Sequence, residues 1–200
     1  MKAETTRTKV IGEALQTLSQ GGLASVTIGR LAEATGLSKS GLFAHFGSRE
    51  ALELALLDET VRIAHIHVVE PAMRNPAGLP RLVALVGLWF GWSARAGLRG
   101  GCPIAAALFE LDDADGVVRD RVAELDKEWR GLLQAQVQQA VDLGHLHAEL
   151  EVEQVVWELC GIYLAHHSSM RFHRDPQAER RAQSALVALL RRSGADPAFL

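Results

Sequence analysis

The chain has 200 residues, and 48% of them are hydrophobic, which is enough for one large domain or two small ones with well-formed cores. A net charge of −3 argues against a uniformly basic nucleic-acid-binding protein. The charge is unevenly divided, because residues 1–50 hold six Lys or Arg against four Glu and the remaining residues carry a net charge of −5. This asymmetry is compatible with nucleic-acid binding at the N-terminal end.

Cysteine usage and hydropathy limit the location of the protein. Cys102 and Cys160 belong to no CxxC or metal-binding motif, which is typical of proteins in a reducing compartment. No signal peptide precedes the first helix, and no apolar run approaches the roughly 18 residues of a membrane span. We therefore expect a soluble, cytoplasmic protein that needs no cofactor.

The first element is an amphipathic helix. Apolar residues recur at spacings of three and four from Val10 to Leu18, which predicts a helix from about Thr6 to Ser19 behind a loose tail of five residues. Gly21-Gly22 ends it. This helix is expected to cover the short helices that follow, because two short helices cannot bury a core alone.

The twenty residues from Thr27 to Phe46 predict two short helices joined by a tight turn. Thr27 is a good N-cap, Gly36 suits a left-handed C-cap, and Ser38 can cap the second helix. Leu42 and Phe46 stand four residues apart and should point inward. The pattern is that of a helix-turn-helix.

The outer surface of the second helix carries the chemistry of a DNA reader. Lys39, Ser40 and Gly41 form its first turn, and His45 lies one turn later. A short helix that begins with a cation, a hydroxyl and a glycine can approach base edges and phosphates closely in a major groove. We therefore predict that this helix binds DNA.

The residues around this motif resemble a known family. The run LSKSGLFAHFGSREAL, from Leu37 to Leu52, is similar to the DNA-binding segment of the tetracycline-repressor (TetR) family, and the resemblance extends over residues 5–60. The sequence departs from the family at Phe43, where Tyr is common, and at Arg49, where Lys is common. The first change removes a hydroxyl that could bind phosphate, and the second keeps the charge with a different donor geometry.

The candidate DNA contacts combine the motif with the resemblance. Thr27 could contact phosphate as well as cap its helix, and the resemblance favours a phosphate contact for His45 over a role in covering the core. Phe43 could pack or touch the DNA backbone or a thymine methyl group. The predicted set is Thr27, Ser38, Lys39, Ser40, Gly41, Phe43, His45 and Arg49.

The rest of the chain predicts further helices and no strand. Ser48 caps a long helix to about Val69, and Pro71, Pro76 and Pro80 then break the chain. Further helices are predicted over residues 79–98, 103–111, 117–143 and 151–171, and from Asp175-Pro176 to about residue 192. The fold class is therefore all-α with about nine helices. Residues 1–50 form the DNA-binding domain, 51–192 a helical ligand-binding and dimerisation domain, and 193–200 a loose tail.

Aromatic residues of the central helices could form a core or wall an apolar ligand pocket. The resemblance favours a pocket within residues 60–170. Cys102, between a glycine pair and a helix start, could act as a redox or covalent sensor or as a nucleophile, but no catalytic base or orienting group accompanies it. Paired histidines lack the i, i+4 spacing of a helical zinc site, so no metal is predicted. The candidate pocket residues are His65, Trp89, Phe90, Trp92, Cys102, Phe109, Trp129, Tyr163 and His166.

The last two helices carry apolar stripes wider than one neighbour would cover, with small residues that permit close approach. The resemblance implies that these helices pair with their symmetry mates in a homodimer. Two recognition helices related by a two-fold axis read half-sites about 34–36 Å apart, or a multiple of that distance. The predicted interface residues are Val156, Leu159, Tyr163, Ala182, Ala185, Leu186 and Leu189.

Together these features predict a homodimeric transcriptional repressor that a largely apolar small molecule releases from a palindromic operator. Ligand-promoted DNA binding or activation is equally consistent with thermodynamic linkage. A helical enzyme would need a polar catalytic cluster, which the sequence does not show. A dimeric adaptor that does not bind DNA would have no need of the exposed surface around Lys39.

Overall fold

The computed structural model describes the backbone of residues 2–199 and the side chains of residues 6–199, and within that range every regular element is helical. This agrees with the predicted fold class. Nine helices have eight or more residues, and two short ones have four. They are α1 (Lys2–Gly21), α2 (Ile28–Thr35), α3 (Lys39–Phe46), α4 (Arg49–Ala64), α5 (Glu70–Met73), α6 (Leu79–Trp89), α7 (Trp92–Arg95), α8 (Pro103–Glu110), α9 (Val117–Asp142), α10 (Val152–Arg171) and α11 (Ala178–Arg192).

The predicted capping residues set the ends of α2. The Thr27 hydroxyl accepts a hydrogen bond from the Arg30 N–H at 3.3 Å, which satisfies a donor in the first turn. Gly36 has a φ of 73° and forms the left-handed C-cap. Both predictions are confirmed because each depends on hydrogen bonds between residues only three or four apart.

Three predicted boundaries are wrong. The first helix begins at Lys2, so the loose tail before it is not observed. The predicted helix 79–98 ends at Trp89, because Phe90 is extended (ψ 129°) and Gly91 has a φ of 62°. Pro71 does not break the chain, since it lies in the first turn of α5, where a backbone N–H has no intrahelical acceptor.

A π-helical turn, His65–Val69, connects α4 directly to α5. The helical stretch that begins at Arg49 therefore runs to Met73, beyond the predicted end near Val69. An i→i+5 turn is rare, and nothing in the residue pattern of this stretch signals it.

The loose tail predicted from Ser193 onward is also wrong. Ser193 and Ala195 are buried, and the His147 N–H donates a hydrogen bond to the Ser193 carbonyl at 2.9 Å. A short 3₁₀ turn, Pro197–Phe199, follows. The Ser193 carbonyl thus finds its partner in the distant loop that contains His147.

Packing divides the chain into two compact units. Unit 1 comprises Met1–Ile63 and Ser93–Asp126, and unit 2 comprises Ala64–Trp92 and Lys127–Leu200. The segment 93–126 therefore packs with the helix-turn-helix. The proposed functional boundary near residue 50 stays a prediction, because compactness and function need not divide a chain at the same place.

Each unit has its own apolar core. In unit 1, α1 packs on α2 and α2 on α3. The buried side chains of this core include Val10, Ala14, Leu18, Leu31, Leu42, Leu52 and Leu56. In unit 2, α10 packs along α11. Buried side chains there include Leu82, Leu85, Leu133, Leu159, Leu186 and Leu190. No helix within residues 2–199 is both long enough and apolar enough to cross a membrane.

Candidate nucleic-acid interface and effector site

Helix α3 separates its core side chains from its exposed ones as the spacing predicts. Leu42 and Phe46 are buried, whereas Lys39 and Ser40 are exposed. The ring of Phe43 is 48% exposed, so it does not pack fully into the core. The exposed face of α3 thus offers a cation, a hydroxyl and an aromatic edge to a binding partner.

Ser38 and Gly41 organise the first turn of this helix. The Gly41 N–H donates to the Ser38 hydroxyl at 3.0 Å, and the Ser40 hydroxyl lies 3.1 Å from the same oxygen. A Cβ at Gly41 would lie 3.2 Å from this oxygen, closer than a relaxed contact. Glycine therefore preserves the cap. It also leaves no side chain at the point where the floor of a DNA groove would approach the helix.

Cations on unit 1 extend the candidate DNA-binding surface. Lys39 has no ion-pair partner among the described residues. The Nε of Arg49 bonds to the buried carboxylate of Glu53 at 2.8 Å, which orients the exposed guanidinium. Thr27 is exposed at the start of α2, and His45 is half-buried on α3.

Two cations of this unit were missed by the sequence reasoning. Arg30 is exposed in the first turn of α2, and Arg7 stacks over the Phe46 ring at 5.3 Å. Arg30 follows the capping residue by three positions, which places it near the N-terminus of α2. This position, three residues after the capping residue, could have identified Arg30 as a candidate contact. Nothing local predicts the contact between Arg7 and a ring 39 positions later.

A carboxylate from α8 supports the turn between α1 and α2. Glu110 accepts hydrogen bonds from the N–H groups of Leu23, at 2.7 Å, and Ala24, at 2.5 Å. These donors open a 3₁₀ turn that has no cap from its own N-cap residue, Gly22. The carboxylate therefore supplies the missing cap from a residue 87 positions away.

The loop before α8 lies directly against the end of α1. The Gly101 N–H donates to the Ser19 carbonyl at 2.9 Å, and the Gly100 N–H donates to the Ser19 hydroxyl at 3.1 Å. The Gln16 side chain bonds to the Gly97 carbonyl and to the Arg99 N–H. A Cβ added at Gly100 would overlap the Ser19 carbonyl oxygen, so only glycine allows this approach.

Unit 2 contains a cluster of aromatic side chains. Trp89 stacks on Tyr163 with ring centroids 3.8 Å apart and planes 7° from parallel, and it contacts Trp129 at 4.8 Å. The Trp92 indole N–H donates to the Tyr163 hydroxyl at 3.3 Å. Phe90 and His166 form a second ring pair at 5.1 Å. The centroids of Tyr163 and His166 are 6.5 Å apart, so six of the nine predicted pocket residues belong to one network of ring contacts and a hydrogen bond.

The other three predicted pocket residues are placed differently. His65 is exposed and lies 3.4 Å from Glu70, so its ring is outside the aromatic cluster. Cys102 is buried within unit 1, and Phe109 is largely exposed on that unit. His65 and Phe109 were included for their residue type and Cys102 for its place before a helix start, and neither signal distinguishes a pocket wall from a helix surface.

Three buried polar atoms in unit 2 have no hydrogen-bond partner within the described residues. They are Trp129 Nε1, Gln136 Oε1 and His167 Nε2. The sequence analysis did not single out Gln136, since a single polar residue on a helix usually faces solvent. The only available signal was that Gln136 lies seven residues after Trp129, on the same helix face.

Burial, together with smaller contributions from the charges of Arg171 and His166, lowers the pKa of His167 below its ordinary value of 6.5. The unfolded chain therefore takes up a proton near pH 6.5 that the folded chain resists, so the unfolding free energy should fall as the pH drops below that value. The slope from this group is at most about 1.4 kcal/mol per pH unit. Urea unfolding from about pH 7.5 to about pH 5.5 measures it.

The matched pair for this measurement is His167→Gln and His173→Gln, since His173 is exposed. We expect the first variant to flatten the pH dependence of the unfolding free energy and the second to leave it unchanged. Parallel curves for the wild type and His167→Gln would contradict the assignment.

Six of the seven residues predicted at the dimer interface are buried within the chain, and their role in a dimer stays a prediction. Val156, Leu159, Tyr163, Ala182, Leu186 and Leu189 are buried within the chain, whereas Ala185 is exposed. The buried six lie along the packed pair α10 and α11, so their stripes are already covered. Sequence periodicity identifies an apolar stripe, but not which neighbour covers it.

The outer face of α10 and α11 forms an open groove of about 470 Å³. Gly161, Ala165 and Ala185 contribute exposed small residues to its lining, and Trp157 is 66% exposed. Glu158 pairs with Arg192, and the His166 imidazole lies 3.0 Å from Glu179. The groove thus combines small residues, which permit another helix to approach closely, with one large apolar side chain.

Comparison with known proteins identifies both parts of the chain. Residues 10–56 match the family model described as bacterial regulatory proteins, tetR family, and residues 78–186 match the one described as tetracyclin repressor-like, C-terminal domain. No curated protein matches the chain significantly in sequence.

Solved structures share the fold. A TetR transcriptional regulator from Chloroflexus aurantiacus J-10-FL is 24% identical, with a TM-score of 0.82 over 95% of this chain and 94% of the other. A TetR-family regulator from Cytophaga hutchinsonii is 18% identical, with a TM-score of 0.85 over 96% of both chains. AibR, in complex with isovaleryl coenzyme A and operator DNA, is 17% identical, with a TM-score of 0.73 over 92% of this chain and 98% of that one.

Proposed function

Because the chain belongs to the tetR family of bacterial regulatory proteins, we propose that its helix α3 reads an operator as part of a homodimer whose DNA affinity is set by a small-molecule effector in unit 2. The protein is a ligand-responsive, DNA-binding regulator of transcription, not an enzyme. Its place of action is then the cytoplasm, where the DNA of a bacterium lies.

The observation that carries the DNA-binding role is the first turn of α3. Lys39 is exposed with no ion-pair partner among the described residues, and the Ser38 cap fixes the helical turn from which it projects. Thr27, Ser40, Phe43, His45 and Arg49 are the further proposed contacts. Exposed cations bind phosphate, and a helix of this size fits a major groove.

The experiment that tests the function is a selection of duplexes from a random DNA pool at physiological salt. Enrichment of a palindrome is expected, because a two-fold dimer presents two identical helices. The half-site spacing would then give the distance between the two copies of α3. A dimeric, helical protein that enriches no sequence, with or without metabolite extract, would contradict the proposal.

Replacing Lys39 with alanine is expected to weaken binding to the selected duplex by about 1–3 kcal/mol per half-site and to reduce the salt dependence of binding. Lys127→Ala is the matched control, because it removes the same charge from an exposed position on α9. Fluorescence anisotropy at several salt concentrations measures both. Equal losses in the two variants would show that net charge, rather than a contact of α3, determines the affinity.

The groove on α10 and α11 is the proposed dimer interface. Exposed Gly161, Ala165 and Ala185 permit two helix pairs to approach closely, and Trp157 supplies apolar area that water would otherwise cover. A self-complementary contact across a two-fold axis would join four helices. In this proposal the exposed face of α10 and α11 forms the dimer interface, in place of the buried residues of the same helices that the sequence predicted.

The effector site is proposed at the aromatic cluster of Trp89, Trp129 and Tyr163. Structures that share the fold include AibR bound to isovaleryl coenzyme A and operator DNA, a ketosteroid transcriptional regulator and a fatty acid degradation regulator. The isovaleryl group of the AibR ligand is apolar, and the other two regulators are named for a ketosteroid and for fatty acids; by analogy, we propose that the part of the effector that contacts these rings is apolar. The stacked rings of Trp89 and Tyr163, with centroids 3.8 Å apart, provide an apolar wall for such a ligand.

Chain continuity supports the coupling of this site to the reader. The chain passes between the units at residues 63/64, 92/93 and 126/127, and each crossing lies in a helical stretch. Trp92 precedes one crossing and Trp129 follows another. The segment 93–126, between these two crossings, is hydrogen-bonded to Ser19 of α1. Its residue Glu110 also accepts hydrogen bonds from the turn that follows α1.

An effector that favours one arrangement of this segment would change DNA affinity by its differential affinity for the two states. Release of a repressor is the proposed sign of the response.

A further inference from the structure

A carboxylate is buried near the start of α4, close in sequence to the recognition helix α3. Glu53 is 7% exposed, and it is the only buried Asp or Glu among the described residues. Taking a carboxylate out of water costs free energy unless a cation pairs with it. The partner is Arg49, whose Nε–H donates to Oε1 of Glu53 at 2.8 Å. The buried position of Glu53 therefore fixes the place of this bond.

Helix stability does not explain this pair. Arg49 is the first residue of α4, where a cation opposes the helix dipole. In addition, a base that precedes an acid by four residues is the weaker of the two possible orders. A second pair on the same helix has the favourable order, since Glu59 precedes Arg62 and Arg62 lies in the last turn. The position of the Arg49–Glu53 pair is therefore better explained by a role outside the helix.

The bond to Glu53 leaves one edge of the Arg49 guanidinium open. Only Nε is bonded, the two Nη groups have no acceptor among the described residues, and the side chain is 55% exposed. By contrast, Arg62 uses both Nε and Nη2 to bind Glu59. The planar guanidinium can bind two oxygens of one phosphate through its two Nη groups. A guanidinium that is already held loses less side-chain entropy when it does so.

We propose that Glu53 is a positioning residue for DNA binding, which holds the Arg49 guanidinium so that its Nη groups bind an operator phosphate. Arg49 lies three residues after the end of α3, so this phosphate borders the groove that α3 enters. Glu53 itself does not touch the DNA. This inference rests on the proposed function, because Arg49 is one of the proposed DNA contacts.

Two effects of Glu53 on DNA affinity have opposite signs. Its negative charge repels phosphate, so removal of the charge alone would raise the affinity. Its bond to Arg49 orients a contact, so removal of the bond lowers the affinity. Screening over about 8 Å at physiological salt limits the repulsion, because the guanidinium lies between Glu53 and the phosphate. We expect the lost orientation to dominate, and the sign of the change therefore identifies the role.

Glu53→Met and Glu59→Met are the matched variants. Each removes one carboxylate that pairs with an arginine of α4, and methionine has nearly the length and helix propensity of glutamate. We expect Glu53→Met to weaken binding to the selected duplex about tenfold, and Glu59→Met to change it by less than about twofold. Fluorescence anisotropy gives the affinity, and circular dichroism confirms helicity. Equal changes in the two variants, or an unchanged or higher affinity in Glu53→Met, overturn the proposal.

Glu53→Gln separates the bond from the charge. The amide is neutral, as methionine is, but its oxygen can still accept a hydrogen bond from the Nε–H of Arg49. Glu53→Gln should therefore bind the duplex at least about threefold more tightly than Glu53→Met, which is the effect of one neutral hydrogen bond. Equal affinities of these two variants would assign the effect to charge alone and refute the positioning role.

A double-mutant cycle with Arg49→Ala distinguishes positioning from a general effect on the fold. A structural effect of Glu53→Met would lower duplex affinity whichever residue occupies position 49. A positioning effect acts only through the guanidinium, so Glu53→Met should change the affinity by less than about twofold in the Arg49→Ala background. A loss of about tenfold that persists in that background contradicts the proposal.

The wild type and Arg49→Ala separate this inference from the proposed function. If the wild type selects an operator that Arg49→Ala binds normally, the roles of Arg49 and Glu53 are refuted and the reading of DNA by α3 stands. If the wild type selects no duplex, the proposed function is refuted, and this inference with it.

Discussion

Replacing Gly161 with arginine is expected to convert the dimer into folded monomers and to lower operator affinity by at least about 100-fold. The position is exposed on α10, and no atom lies within 4 Å of a Cβ built there, so the monomer can accept the side chain. In the proposed interface the same side chain would hold the two helix pairs apart. Loss of the second recognition helix removes the avidity that links two half-sites.

Gly131→Arg provides the matched control, because Gly131 is also exposed in a helix with open space around its Cβ. Both variants should gain helix propensity in the monomer. Analytical ultracentrifugation gives the oligomeric state, and anisotropy with the selected duplex gives the affinity. A Gly161→Arg protein that remains dimeric and binds DNA normally would place the interface elsewhere.

Replacing Gly100 with alanine is expected to be the most destabilising single-methyl change in unit 1. The new Cβ would overlap the carbonyl oxygen of Ser19. This oxygen belongs to the backbone, so it cannot rotate away as the end of a flexible side chain can. The loop would have to move, which would break its two hydrogen bonds to Ser19. We expect a loss of about 2–3 kcal/mol or more in urea unfolding.

Gly12→Ala is the control for this change. It adds the same methyl group to an exposed site in α1 with no atom within 4 Å, and it should stabilise the protein by about 0.5–1 kcal/mol through helix propensity. Opposite signs for the two substitutions would support the close approach at Ser19. A neutral Gly100→Ala would show that the loop is not held against α1.

Local chemistry explains which elements were predictable. The caps at Thr27 and Ser38 and the turn at Gly36 were identified because each depends on bonds between residues three or four apart. The inward positions of Leu42 and Phe46 followed from helical periodicity. The break after Trp89 was missed because the apolar pattern continues on both sides of it, although Gly91, whose φ is 62°, was an available signal for a helix end.

The sequence by itself determined the all-helical class, the capped helix-turn-helix and the exposed cationic turn at Lys39, since these are set by short-range hydrogen bonds and helix periodicity. Only the tertiary structure decided which neighbour covers an apolar stripe and which buried atom lacks a partner. Leu159 and Leu186 are covered within the chain, Glu110 caps a turn 87 residues away, and Gln136 is buried with no partner for its carbonyl among the described residues. These outcomes depend on contacts between distant segments, which a local pattern does not encode.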